Sequence, residues 1–243
     1  MTATVVLVHG AFHGSGYWRP TLKGLADLGV PALAPDLPGH GAHPGPLTDL
    51  HGDADAITEV LDTISGPILL VGHSYGGAVV TEAGSHPSVE HMVFLAAFCL
   101  YQGETVNTAA PEADVEGISH EGRPRLGPAL HIDEEGIATV VNQDAARAVF
   151  YSDFTLEQLA EIQTTQSPQR MANFDQTPLR HSWEEKNSTY LVCSQDMTVH
   201  PHLQRVMARR TMRAAAWDCG HFPMITEADK TVRFLARIAE KHG

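Results

Sequence analysis

Basic residues are scarce in this chain. Across 243 residues, 16 Lys and Arg stand against 29 Asp and Glu, for a formal net charge of −13. Nucleic acids and anionic membrane surfaces reward a basic face, so neither is expected as a partner, and the charge reads as an aid to solubility. Long apolar runs are missing too: no stretch approaches the roughly 18 consecutive apolar residues of a membrane helix. The first apolar run, Val5–Val8, is short and has no basic segment before it, so it reads as a strand and not a signal peptide. Cysteine is rare as well. Cys99, Cys193 and Cys219 are odd in number and form no CxxC pair, which speaks against a disulfide framework and for buried thiols in a reducing cytoplasm. Histidine is plentiful, at 15, yet neither HExxH nor HxHxDH occurs, and the tightest cluster is HPH at 200–202. No metal and no cofactor are expected.

What the chain does have is a regular alternation. Thr4–Val8, Val30–Ala34, Ile68–Val71 and His91–Ala97 read as strands. Between them, helices are expected over Trp18–Leu28, Leu50–Ile64 and from Gly77 to Gly84. Continuous apolar strands alternating with helices indicate a mostly parallel sheet covered on both faces, an α/β fold. The alternation breaks after Phe98 and resumes near Asn187, whereas crossover loops in such sheets take only about 2–6 residues. That stretch has structure of its own: a hairpin turning at Asp133–Gly136, a helix capped by Asn142 and running through Phe150, and another in TLEQLAEIQ. PEADVEGISHEGRPRLGP, residues 111–128, is loop-like. We read residues 1–99 and 188–243 as two parts of one core and 100–187 as a cap over one end of the sheet. The core resumes with a strand at Thr189–Ser194, a helix at Pro201–Arg210, a strand near Ala214–Trp217, and a last helix from Thr226, where TEAD resembles a capping box.

One stretch carries the chemistry. In ILLVGHSYGGAVV, residues 68–80, Gly72-His73-Ser74-Tyr75-Gly76 matches G-x-S-x-G between an expected strand and an expected helix, the context that motif requires. Such a turn is sharp enough to strain the serine backbone, and glycine at 72 and 76 removes side chains that would strike the strand and helix. A serine hydroxyl needs a base, and the base needs an acid to hold its tautomer. Behind an elbow of this kind the acid and then the histidine follow along the chain. Asp196, just past the strand after the cap, and His221, just past the last strand, are in that order and at the same sheet edge as Ser74. Asp218, Glu184, His200 and His202 are weaker rivals. Two backbone N–H groups should stabilise the developing oxyanion. Tyr75, next after the serine, is one, and Ala11, in the glycine-rich HGAFHGSGYW loop, is the other candidate.

VLVHGAFHGSGYW, PDLPGHG, GHSYGG, VFLAAF and GHFPMITEADKTVRFL together resemble the α/β-hydrolase superfamily. More narrowly they are similar to the group holding plant methyl-ester esterases, hydroxynitrile lyases and related bacterial esterases, pyrethroid hydrolases among them. The resemblance covers nearly all the chain and is weakest over roughly 103–130. It implies an eight-stranded sheet with a cap after the sixth strand, and it carries the triad onto Ser74, Asp196 and His221, with Ala11 and Tyr75 as oxyanion donors. Hydroxynitrile lyases of the group have a threonine after the first loop histidine and a lysine after the catalytic one. Here those positions are Gly10 and Phe222, which disfavours lyase chemistry and suits an esterase. Gly10, Phe12, Leu126, Phe150 and Phe222 are the expected substrate contacts, although each aromatic or aliphatic one would serve equally as core. The plant esterases place a tryptophan of the cap against substrate, and this cap has only Trp183, near its end. The expected function is hydrolysis of a small to medium, largely apolar carboxylic ester through an acyl-enzyme, by a monomer or homodimer. A slow-turnover ligand receptor and a lactone or thioester hydrolase of a pathway are the alternatives.

Overall fold

In the computed structural model, residues 2–115 and 118–243 are described. Six strands form one parallel sheet: β1 (Thr4–Val8), β2 (Ala32–Leu33), β3 (Ile68–His73), β4 (Val89–Leu95), β8 (Asn187–Cys193) and β9 (Arg213–Trp217). Their order is β2-β1-β3-β4-β8-β9, with β1 and β3 in register from Thr4 opposite Ile68 to Val8 opposite Gly72. The central strand β3 is buried at every position, which is why its first four residues are unbroken Ile, Leu and Val and do not alternate. Helices α1 (Arg19–Asp27), α2 (Leu50–Asp62), α3 (Gly76–Ala83), α7 (Pro201–Ala208), α8 (Pro223–Thr226) and α9 (Ala228–Lys241) flank it. α1 packs on α9, and α2 on α3. Among the described residues no helix is long and apolar enough to cross a membrane.

Between β4 and β8 the chain leaves the sheet. The insertion holds α4 (Glu112–Val115), β5 (Leu130–Ile132), β6 (Ile137–Val140), α5 (Gln143–Phe150), α6 (Leu156–Gln163) and β7 (Gln169–Arg170). β5, β6 and β7 make a small antiparallel sheet whose hairpin turns at Asp133–Gly136, as expected. Asn142 caps α5 by accepting from Ala145 N–H, and Thr155 and Gln158 form a reciprocal capping box on α6. The insertion lies on the loops that follow β1, β8 and β9. Gly14 N–H donates to the Thr165 carbonyl at 2.8 Å, Thr198 Oγ1 to the Val149 carbonyl at 3.0 Å, and Gly220 N–H to Asp153 Oδ2 at 2.7 Å.

Several expectations need correction. Among the described residues the sheet has six strands, not the eight implied, and the insertion follows the fourth of them, not the sixth. β2 is two residues long where five were expected, because it is an edge that pairs only with β1 and over only two positions. The expected Trp18–Leu28 helix is α1, Arg19–Asp27, and Trp18 ends a separate 3₁₀ turn, Ser15–Trp18, that precedes it. TEAD is not a capping box. Thr226 lies in the turn α8, its hydroxyl donating to the Phe222 carbonyl, and α9 begins after Glu227, at φ −125° and ψ 40°, with no side-chain cap. Within the expected loop 111–128, Glu112–Val115 form a helical turn; residues 116 and 117 lie outside the described residues.

Candidate active site

β3 ends at His73, and the next residue, Ser74, has φ +53°, left-handed backbone that costs a serine roughly 1–3 kcal/mol. The elbow is held by Ser74 O accepting from Gly77 N–H at 2.9 Å and Phe98 N–H at 3.1 Å. The glycines around it are obligatory by contact. A Cβ on Gly72 would stand 2.6 Å from the Gly76 carbonyl oxygen, one on Gly76 2.5 Å from the His9 oxygen, and one on Gly10 2.8 Å from Ser74 Cβ. Ser74 is 8 % exposed.

Asp196 is fully buried in the loop between β8 and α7, and four hydrogen bonds converge on its carboxyl. Oδ1 accepts from the N–H groups of Thr198 at 2.7 Å and Val199 at 3.0 Å; Oδ2 accepts from Gln204 Nε2 and from His221 Nδ1, each at 2.7 Å. Because the carboxylate only accepts, Nδ1 of His221 carries the proton and Nε2 is the free base. Asp196 thus also organises the turn into α7 while it holds His221; α7 itself is capped by His200, whose Nδ1 accepts from His202 N–H at 3.0 Å. Asp218 is fully exposed and engaged elsewhere, its carboxyl held below its ordinary range by Gln195 and Ser194. Glu184 is exposed in a short turn.

The loop after β1 is strained as well, with Phe12 at φ +64°, a feature no sequence signal announced. Leu37 N–H donates to His9 Nε2 at 3.0 Å, so His9 carries its proton on Nδ1 and donates it to the Gly10 carbonyl at 2.8 Å. That fixes the Gly10–Ala11 peptide, and a trans peptide sends the Ala11 N–H the opposite way from the carbonyl. Beside it, His13 donates from Nδ1 to the Ala11 carbonyl at 2.9 Å and accepts the Tyr151 hydroxyl on Nε2 at 2.6 Å. Burial pushes His9 down to about 3 and His13 to about 4, so both are neutral linkers. Among the described residues no group of three or more His, Cys, Asp or Glu is arranged to hold a metal ion.

Ser74 and His221 line a cavity of about 260 Å³ together with Ala11 and Tyr75. All five expected substrate contacts, Gly10, Phe12, Leu126, Phe150 and Phe222, line it too. Phe12, Phe150 and Phe222 are at the same time buried core, so the two roles did not exclude each other. Phe98, Met171 and Phe174 complete an apolar, largely aromatic wall that sequence reasoning missed. Trp183 is not part of it; its Nε1 donates to the Leu100 carbonyl at 2.8 Å. Among the described residues, no Lys, Arg, Asp or Glu lines the cavity. Gln204 was also missed: its Nε2 reaches Asp196 while its Oε1 accepts from Cys193 N–H at 2.9 Å, and its only sequence signal is a glutamine among the buried residues of α7.

The chain is similar to several known proteins over this architecture. It is 25 % identical to the α/β hydrolase nvfD of Aspergillus novofumigatus, over 97 % of its own length and 96 % of that protein. It is 34 % identical to a carbendazim hydrolyzing esterase of a Nocardioides species, over 46 % of this chain and 48 % of that one. Its fold matches the crystal structure of a pyrethroid hydrolase from Sphingobium faniae with a TM-score of 0.82, at 22 % identity and 98 % coverage of both chains. The sequence profile of the Alpha/beta hydrolase family matches residues 5–234, and the chain belongs to that family.

Proposed function

We propose that the protein is a serine hydrolase of neutral, largely apolar carboxylic esters. The observation that carries this reading is one cavity lined by both a strained elbow serine and a histidine whose Nδ1 is held by a buried carboxylate. In this reading Ser74 Oγ attacks the acyl carbon as His221 Nε2 takes its proton, and Asp196 stabilises the imidazolium. The carbonyl oxygen becomes an oxyanion held by the Ala11 and Tyr75 N–H groups. Collapse breaks the bond to the leaving alkoxide, which receives the proton from His221. Water, deprotonated by the same nitrogen, then attacks the acyl-enzyme, releases the acid and returns the proton to Ser74. No cofactor enters any step.

The choice of ester rests on the cavity wall. Without a charged side chain among the described residues, it offers nothing to pair an ionic substrate, while Phe12, Phe98, Phe150, Phe174 and Phe222 suit an aromatic or aliphatic acyl or alcohol group. Names among the relatives, a carbendazim hydrolyzing esterase and a pyrethroid hydrolase of Sphingobium wenxiniae, agree with ester or ester-like substrates. Gly10 and Phe222 continue to disfavour a hydroxynitrile lyase. Three free, buried cysteines support a reducing, cytoplasmic setting.

The test is hydrolysis of p-nitrophenyl butyrate by wild type and Ser74→Ala at equal folded concentration. A burst followed by turnover is expected in wild type, with kcat down by roughly 10⁴-fold or more in the variant. A stoichiometric burst without turnover would point to a ligand receptor. Near wild-type turnover in Ser74→Ala would refute the reading.

A further inference from the structure

At the cavity wall, which Gly10, His73 and His221 help to line, three hydrogen bonds run in sequence through groups that are all buried. Gly10 N–H meets Tyr17 Oη at 2.6 Å, Tyr17 Oη meets His73 Nδ1 at 2.8 Å, and His73 Nε2 meets the His221 carbonyl oxygen at 2.9 Å. The direction of every proton follows. A carbonyl only accepts, so His73 carries its proton on Nε2 and donates it to His221 O. Nδ1 is therefore an acceptor, and the Tyr17 hydroxyl must donate to it. Tyr17 Oη is then left with lone pairs for the Gly10 N–H. The relay has one polarity and no spare partner, and burial holds His73 neutral and Tyr17 protonated, the nearby His221 adding to the depression of His73.

What the relay joins matters more than how it is made. Gly10 precedes Ala11, His73 precedes Ser74, and His221 is itself the base, so a single tyrosine–histidine pair connects three of the segments that build the site, the loop of Asp196 being the fourth. Among the described residues no other hydrogen-bonded side-chain pair links all three: His9 ties the first loop to Leu37, and Gln204 ties Asp196 to Cys193 and Val199. We infer that Tyr17 and His73 are positioning residues, setting the mutual distance of oxyanion donor, nucleophile and base through hydrogen bonds to residues 10 and 221. The inference rests on the roles proposed above for Ser74, His221 and Ala11. The cost of losing it is in geometry. A displacement of about 1 Å between reacting groups costs on the order of 100-fold in rate, and three loops with no shared tie have that freedom.

Tyr17→Phe removes one oxygen and leaves the ring, which packs edge-on to His73 and Phe222 at 5.4 Å from each. The readouts are kcat and KM for p-nitrophenyl butyrate and the rate of Ser74 labelling by a fluorophosphonate, all taken well below the unfolding temperature. The expected result is a fall of about 10–100-fold in kcat and in labelling rate, with KM within about twofold. A purely structural role would lower Tm and leave kcat and labelling of the folded protein alone. His73→Gln keeps the pattern, since its amide N–H donates to His221 O and its carbonyl accepts from Tyr17; it should recover about tenfold over His73→Leu. Wild-type kcat and labelling in Tyr17→Phe overturn the inference, whatever becomes of His73→Leu. Failure of the fluorophosphonate to label Ser74 in wild type would instead overturn the proposed function beneath it.

Discussion

β3 in the core and the β5–β6 hairpin of the insertion are both strands, and they are held in place by different forces. All six residues of β3 are buried between helices, and the strand has parallel neighbours on both sides. β5 leaves His131 and Ile132 exposed, and β6 buries only one residue fully. The insertion compensates with polar links. Gln143, Gln163 and Gln166 hydrogen bond among themselves, Gln166 reaches the Tyr151 hydroxyl, and that hydroxyl donates a hydrogen bond to His13 Nε2 in the core. On the other side Asn173 donates to Asp53 and to the Tyr75 hydroxyl, while Arg123 donates to the backbone carbonyl of Asp196. The core is therefore assembled by non-directional apolar burial, and the insertion is seated on it by directional contacts, several of them on the loops after β1 and β8.

The strongest way to break that comparison lies in the core. Asp196→Asn would present an amide to His221 Nδ1 and favour the wrong imidazole tautomer, and kcat is expected to fall on the order of 10⁴-fold with little change in KM. Steady-state kinetics on the folded variant decide it. A harmless Asp196→Asn would transfer the acid role to Asp218 or to a carboxyl of the insertion.

Acid should act on the core next. His9, His13 and His73 are buried neutral, with pKa values driven to about 3, to about 4 and well below the ordinary 6.5. A depressed histidine pKa means the unfolded chain binds the proton first. The stabilisation is complete above pH 6.5 and is lost as pH falls from there toward 4 and 3, at about 1.4 kcal/mol per pH unit for each such histidine. Urea midpoints measured from pH 7.5 down to 5 should therefore fall steeply. A flat profile would mean these rings are hydrated, and that the core is less dry than its apolar strands imply.

The smallest effect sharpens the other half. Arg123→Ala removes one of the contacts by which the insertion grips the loop of Asp196, a charged donor on its backbone carbonyl. About a tenfold loss in kcat/KM is expected, the size of one charge-assisted hydrogen bond. Unchanged kinetics would reduce the insertion to a cover over the cavity.

Ser74 was legible because its signal is local: an apolar strand, a serine between glycines, and a helix within a dozen residues. Asp196 and His221 were legible only through chain order and their places just after strands. Asp218, much closer in sequence to His221, is excluded in the structure by its exposure and its partners. Tyr17, His73 and Gln204 looked like an aromatic, a motif filler and a helix polar residue. Their meaning depends on partners 56, 148 and 8 residues away along the chain. The TEAD box misled for the reverse reason, since a locally sound capping signal lost its threonine to the preceding turn.

By itself the sequence determined the alternation of strand and helix, the elbow, and the caps of α5 and α6, because backbone sterics and hydrophobic periodicity act over a few residues. Only the tertiary structure decided the number of strands in the sheet, which aromatic residues became cavity wall as well as core, and how buried polar groups paired. Those outcomes depend on distances between segments far apart in the chain, and a hydrogen bond is made or lost within a few tenths of an ångström.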